Sequence, residues 1–312
     1  MLIMKSHRAT WLLVSSLVVL YGTGLSDAAV VSDGCGASDS ESGDCARPRQ
    51  ARETQDIFFV EHGCEEKDKF AVIVHGWKEN CKTEWIQDMI YNLTLHRGGC
   101  IVCMDYGKYS LNDDYFGRLV PKFEIVVEAL LNRLELMEKD GFDPANGFMF
   151  GFSFGSQSAI EAGRRFGFHK MGRIDACDPA GPGFDSDRNF SSLDPKLAAK
   201  NVQCIHTSND KGTFRRDCHQ DWDMGNCGNS QPASGPYPKG SHGLCPYFYN
   251  SAFTHEFRAI PKPKECTSFR AATHIPTDFR MGYLSDANST IIGDFYARTT
   301  KHYPYNEIPN EV

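Results

Sequence analysis

The sequence predicts an α/β fold, a mostly parallel central sheet with helices on both faces, and three observations carry that prediction. Short unbroken apolar runs, FAVIV at Phe70–Val74 and GFMFGF at Gly147–Phe152, suit strands buried on both faces, where alternation of polar and apolar residues is lost. Between such runs lie longer segments whose apolar residues recur every three or four positions. Strand and helix signals therefore alternate along the chain, the order that builds parallel strands joined by helical crossovers.

Residues 1–26 open with Lys5 and Arg8, continue through an apolar stretch from Trp11 to Tyr21, and end in small residues at Gly22, Gly24 and Ser26. That is the form of a cleaved signal peptide for secretion, and the apolar stretch is short for a bilayer span. Residues 27–54 are rich in Ser, Gly, Asp and Arg with almost no large apolar side chain, and read as a flexible tail. Residues 55–312 read as a single domain, since neither an internal repeat nor a second apolar core is evident.

Within that domain, strands are expected at Phe70–Val74 and at 101–104, the first stopped by Gly76 and the second by Asp105-Tyr106-Gly107. Residues 83–95 between them have helical apolar spacing. Pro121 opens a longer helix whose stripe runs through Phe123, Val126, Val127, Leu130, Leu131, Leu134 and Met137, closed by Gly141. A strand at Gly147–Phe152, a helix at 156–166 and a strand at 173–178 follow, with a further strand at 202–207. Residues 210–251 are dense in Gly, Pro, Asn and Cys and read as long, partly disulfide-tied loops, which in a compact domain usually serve function. Short edge strands are expected at 281–284 and 291–297.

Composition removes several classes of function. The 312 residues are 41% hydrophobic with 28 Gly and 15 Pro, which excludes collagen-like and disordered chains. A net charge of −7 without a basic block excludes nucleic acid as a partner. The twelve cysteines, Cys35 to Cys266, are an even count behind a secretory signal and read as disulfides. No zinc template fits them: Cys100 and Cys103 fall on a strand at a spacing that points them to opposite faces. Asn92, Asn189 and Asn288 head N-x-S/T glycosylation sites, in keeping with secretion.

Gly151-Phe152-Ser153-Phe154-Gly155 has the form G-x-S-x-G where a strand turns into a helix. Glycines flank such a serine because side chains there would collide with the neighbouring helix and strand, and the helix N-terminus leaves free N–H groups beside a developing oxyanion. The hydroxyl needs a base, and the base an orienting acid. Asp178, after a strand and before Pro179, is the acid candidate, whereas Asp175 lies inside the strand and suits an internal hydrogen bond. For the base, His206, His219, His242, His255 and His274 all lie downstream, and His255 completes the order Ser, Asp, His after the long loops.

These residues, together with His75-Gly76-Trp77, Asp105-Tyr106, the GRIDACDPAGPGF run, LDP and IHT within 193–207, Gln231-Pro232, HEFRA at 255–259, MGYLSD and FYART, resemble the pancreatic-lipase family in its secreted arthropod branch over about residues 55–306. The resemblance implies an α/β-hydrolase fold and cleavage of lipid esters, as a triacylglycerol lipase or a phospholipase A1, at a lipid aggregate or membrane surface. It implies the triad Ser153, Asp178 and His255, with the backbone N–H groups of Trp77 and Phe154 as oxyanion hole and no cofactor. His255 is chosen because it heads the family's H-x-x-R-A/S segment.

Departures from the family bear on the substrate. Phe152 and Phe154 replace its usual histidine and leucine around the serine, both expected beside the acyl path. Phe253 stands where a cysteine closing the lid is usual, so the lid, about residues 233–252, is closed differently or not at all. Its Pro236, Pro238, Pro246, Gly235, Gly240 and Gly243 oppose an amphipathic helix, and an open loop with Lys239 and His242 on the rim favours phospholipid. The family's calcium site falls on Asn189, Ser192, Asp194 and Leu197, with one carboxylate among them, so no metal is expected. The chain ends soon after the catalytic domain, so no colipase partner is expected. The alternative function is a lipid carrier or yolk-type storage protein of the same fold, which the filled triad positions argue against.

Overall fold

A computed structural model of the chain describes residues 56–65, 67–187, 194–236, 240–267, 270–285 and 290–307. The expected signal peptide, the tail and the glycosylation candidates Asn189 and Asn288 lie outside the described residues.

Eight strands form one sheet: β1 (Phe58–His62), β2 (Phe70–Val74), β3 (Cys100–Asp105), β4 (Gly147–Phe152), β5 (Met171–Cys177), β6 (Ala199–His206), β7 (Gln220–Met224) and β8 (Gly293–Ala297). Their order across the sheet is β1-β3-β2-β4-β5-β6-β7-β8, antiparallel at the β1–β3 edge and parallel elsewhere. Every residue of β2 and β4 is buried, as unbroken apolar runs require. Alternate side chains feed two cores: Phe70, Val72 and Val74 enter one, Ala71 and Ile73 the other.

Helices cover both faces. On one lie α1 (Glu84–His96), burying Trp85, Ile86, Met89, Ile90 and Leu93, and α4 (Cys245–Ser251). On the other lie α2 (Phe123–Lys139) and α3 (Phe154–Phe166). Among the described residues, five disulfides link 64 to 100, 81 to 103, 177 to 245, 204 to 218 and 227 to 266. Cys100 and Cys103 do face opposite cores and bond to different partners.

Two expectations fail. Residues 281–284 are turn rather than strand. The region 210–251, expected to be loop, contains β7 and α4. In α4 the residues Cys245, Phe248, Tyr249 and Ala252 recur at helical spacing and are buried, while Pro246 sits in the first turn, where no backbone donor is missed.

Candidate active site

The parallel strands end on one rim of the sheet, where the loops after β2, β3, β4, β5 and β6 converge, the usual place for a site in such a sheet. After β4, Ser153 holds φ 56° and ψ −120°, a left-handed conformation rare for a residue with a side chain, and α3 begins directly behind it. The flanking glycines are sterically required. A Cβ on Gly155 would lie 2.3 Å from the carbonyl oxygens of Val74 and His75, and one on Gly151 would lie 2.6 Å from Gly155 O.

His242 occupies the position beside the serine where His255 was expected. Its Nε2 is 2.8 Å from Ser153 Oγ and its Nδ1 is 2.6 Å from Asp178 Oδ2. A carboxylate only accepts, so Nδ1–H donates to Asp178, which leaves Nε2 to accept the serine proton. All three side chains are buried, Asp178 completely. Asp178 follows β5 at φ 40°, and its Oδ1 accepts from Thr207 N at 2.7 Å and Ser208 N at 3.2 Å, while Ser208 Oγ donates to Oδ2 at 2.6 Å.

His255 lies elsewhere, half-exposed, its Nδ1 paired with Thr254 Oγ1 at 2.9 Å and its ring 5.6 Å from that of Tyr303. The reason is α4. These seven residues, about 10 Å of helix, separate His242 from His255 and are anchored by Asn250 Nδ2 donating to Trp85 O. A disulfide from Cys177, the residue before Asp178, to Cys245 fixes the start of α4 near the acid and holds His242 there. The apolar spacing at 245, 248, 249 and 252 was the sequence signal for this helix, and hence for a histidine fixed at its start.

The remaining expected residues are placed as follows. Trp77 follows β2 in the loop 75–79, where Gly76 N donates to Glu79 Oε2 at 2.9 Å and Trp77 Nε1 to Asn112 O at 2.6 Å. The Trp77 and Phe154 amides donate to no group among the described residues. His75 stacks on Tyr106 at 4.0 Å and accepts from Tyr106 N through Nε2. Burial holds its imidazole down to about 4, so it is a neutral structural group. Asp175 is fully buried in a two-pronged pair with Arg173 at 2.7 Å and accepts from Tyr249 OH, the internal role expected of it.

Phe152 lines the site, its ring 4.9 Å from that of His242, whereas Phe154 turns into the core against Phe123 and Phe184, away from any acyl path. The segment expected as lid, 233–252, is in part core: Phe248 and Tyr249 are wholly buried, His242 and Gly243 line the cavity beside Ser153, and Lys239 lies outside the described residues. Position 240, two before His242, is glycine, and Cys227 bonds to Cys266 across the whole segment. Of the expected calcium positions, Asp194 caps the turn at Pro195–Ala198 and pairs with Lys196 at 2.9 Å, and Asn189 and Ser192 lie outside the described residues. Asn92 is described, half-buried in α1, with its Nδ2 donating to Asn250 Oδ1 at 3.3 Å.

Ser153 and His242 open on a cavity of about 450 Å³. Trp77, Tyr115, Phe116, Phe152, Ala180 and Pro182 give it apolar walls, and Lys78, Glu79, Asp113, Asp114 and Lys211 give it charge. A buried serine, imidazole and carboxylate in this order can make the hydroxyl nucleophilic and hold the resulting imidazolium.

The chain is similar to known lipid-ester hydrolases. Pancreatic triacylglycerol lipase of Sus scrofa is 33% identical over 147 residues, covering 45% of this chain and 30% of that protein. Phospholipase A1 of Polybia paulista is 28% identical over 203 residues, covering 64% of this chain and 56% of that protein. The chain thus matches less than two thirds of either relative's length. A solved alpha-beta serine hydrolase homologue from Coxiella burnetii superposes with a TM-score of 0.37 at 14% identity, covering 55% of this chain and 71% of that one. The model of the Lipase family matches residues 39–233, more than half of the sequence, and the chain belongs to that family, as its motifs imply.

Proposed function

We propose that the protein is a secreted carboxylic ester hydrolase acting on lipid esters through Ser153, His242 and Asp178. The observation that carries this reading is the unbroken chain from Ser153 Oγ through His242 to Asp178 on a largely apolar cavity. His242 takes the proton of Ser153 as the hydroxyl oxygen attacks the ester carbonyl, and Asp178 balances the imidazolium. The Trp77 and Phe154 amides receive the tetrahedral oxyanion. His242 then protonates the leaving alcohol, and water, deprotonated by the same imidazole, releases the acid from Ser153. Five disulfides among the described residues support an oxidising compartment outside the cell.

Phospholipid is the favoured substrate class over triacylglycerol. With α4 packed into the core it does not lie over the cavity, and Lys78 and Lys211 on the cavity wall, each paired with an aspartate, bring cations within reach of a phosphate-bearing head group. Labelling with a serine-reactive fluorophosphonate tests the chemistry, and its absence from Ser153 would refute the reading. Rates on dispersed phosphatidylcholine and emulsified triolein, below and above their aggregation thresholds, test the substrate. Turnover confined to the triolein interface would overturn the phospholipid preference.

A further inference from the structure

Asp178 receives more than its histidine. Of the two donors on Oδ2, one is His242 and the other is the hydroxyl of Ser208, each at 2.6 Å. That hydroxyl is itself locked, because Gly212 N donates to Ser208 Oγ at 3.0 Å. The turn around it is anchored to the acid's own segment: Thr213 N donates to Pro179 O at 2.7 Å, and Gly181 N donates to Lys211 O at 2.9 Å. Gly212 is packed so closely that a Cβ there would lie 2.6 Å from Asp178 Oδ1. The segment 207–213 is thus a clasp whose one side-chain contact with the acid is the Ser208 hydroxyl.

We infer that Ser208 is a positioning residue of the hydrolytic site: its hydroxyl fixes the Asp178 carboxylate and shares the negative charge that His242 draws on. The inference rests on the hydrolase reading above. Two donors on one oxygen divide its charge, so removing Ser208's proton concentrates that charge on His242. The imidazolium is then better stabilised, and the base becomes protonated at higher pH. The acid limb of the rate profile moves upward, and at the same time the carboxylate loses the contact that orients it.

Other charged and titratable groups face the pair: His206 at the end of β6, Asp210 and Lys211 on the clasp, and Asp185, which accepts from Thr213 Oγ1. His206 is held down to about 3 by burial and stays neutral, and Asp210 and Lys211 pair at 2.6 Å. None of their side chains is bonded to the Ser208 hydroxyl, so a moved limb reports on that hydroxyl.

The test uses the full chain and the rate of fluorophosphonate labelling at Ser153 from pH 5 to 9, in wild type, Ser208→Ala and Ser208→Cys, each checked by thermal melting. The alanine variant is expected to label about tenfold more slowly at neutral pH, with its acid limb about half a unit higher. Cysteine, a weak donor, is expected between alanine and wild type. A folded variant of either kind with the wild-type acid limb would overturn the inference, whatever its rate. Wild type that does not label at all sinks the hydrolase reading instead, and the positioning role falls with it.

Discussion

Cys177 and Cys245 join the residue before Asp178 to the first residue of α4, three positions after His242. A single covalent link therefore spans acid and base. Replacing both cysteines with alanine frees a loop of 68 residues, worth about 4 kcal/mol in the chain-entropy picture. The melting temperature is expected to fall by about 10 °C. Fluorophosphonate labelling of the folded variant is expected to slow by about tenfold or more, because a small displacement of the base is costly. Melting curves and labelling rates measured on one preparation check both.

His242→Ala is expected to lower hydrolysis of a soluble short-chain ester by about 10⁴-fold, and Ser153→Ala to leave less than about a thousandth of the wild-type rate. His255→Ala is expected to stay within about threefold, since that side chain is half-exposed, paired with Thr254 Oγ1 and set against Tyr303, away from Ser153. A loss at His255 as large as that at His242 would return the base to the position inferred from the motif.

Gly155→Ala places a methyl 2.3 Å from two backbone carbonyls, neither of which can swing away. A loss of about 3 kcal/mol or more is expected, together with loss of labelling. Gly235→Ala, where nothing lies within 4 Å, is the control and is expected to change stability by less than about 0.5 kcal/mol. Denaturant unfolding of the two variants makes the comparison.

Buried His206 at the end of β6 contributes an acid sensitivity, which Asp221 and Asp294 oppose, because burial pushes their carboxyls up to about 7 and about 6. His206 Nε2 meets Asp221 Oδ1 at 2.8 Å, and burial, with Arg216 nearby, holds the imidazole down to about 3. Its folded pKa is below its unfolded value, so the unfolded chain binds the extra proton between pH 3 and 6.5, and this group's contribution to native stability falls as pH drops through that window. His206→Gln lacks this term. The stability gap between wild type and variant is expected to narrow by about 1–2 kcal/mol from pH 7 to pH 4.5, as read from urea unfolding at both values. A gap that widens would mean that the imidazole is charged in the folded protein.

The same region explains what the sequence did and did not reveal. Strands β2 and β4 were legible because parallel strands covered on both faces are apolar throughout, and β3, β5 and β6 through the shorter apolar stretches they contain. Strand β7, QDWDM, was not, since two buried aspartates argue against a strand unless their partners are known. Arg216, at 2.8 Å from Asp223, and Arg270, at 3.0 Å from Asp221, reach them from loops on either side in the chain. Strand β1 was hidden because its edge position leaves Phe58 and Val60 exposed, without an apolar pattern. In the site, the serine and its glycines were legible through local backbone sterics. The base was not, because its place depends on a disulfide pairing and on the docking of α4, both of which act between residues far apart in sequence.

The disulfides also order the making of the molecule. Among the described residues, one pair of bonds lies within 64–103 and three lie within 177–266, and none crosses the stretch between that holds Ser153. During synthesis from the N-terminus, both cysteines of each of the first two bonds emerge before the nucleophile's strand, so those bonds can close first. The bond beside the acid and base must wait until Cys245 has emerged. An interrupted or mis-oxidised chain of this kind carries a finished first half and a serine without its base, so the hydrolytic site is assembled only when the last block is oxidised.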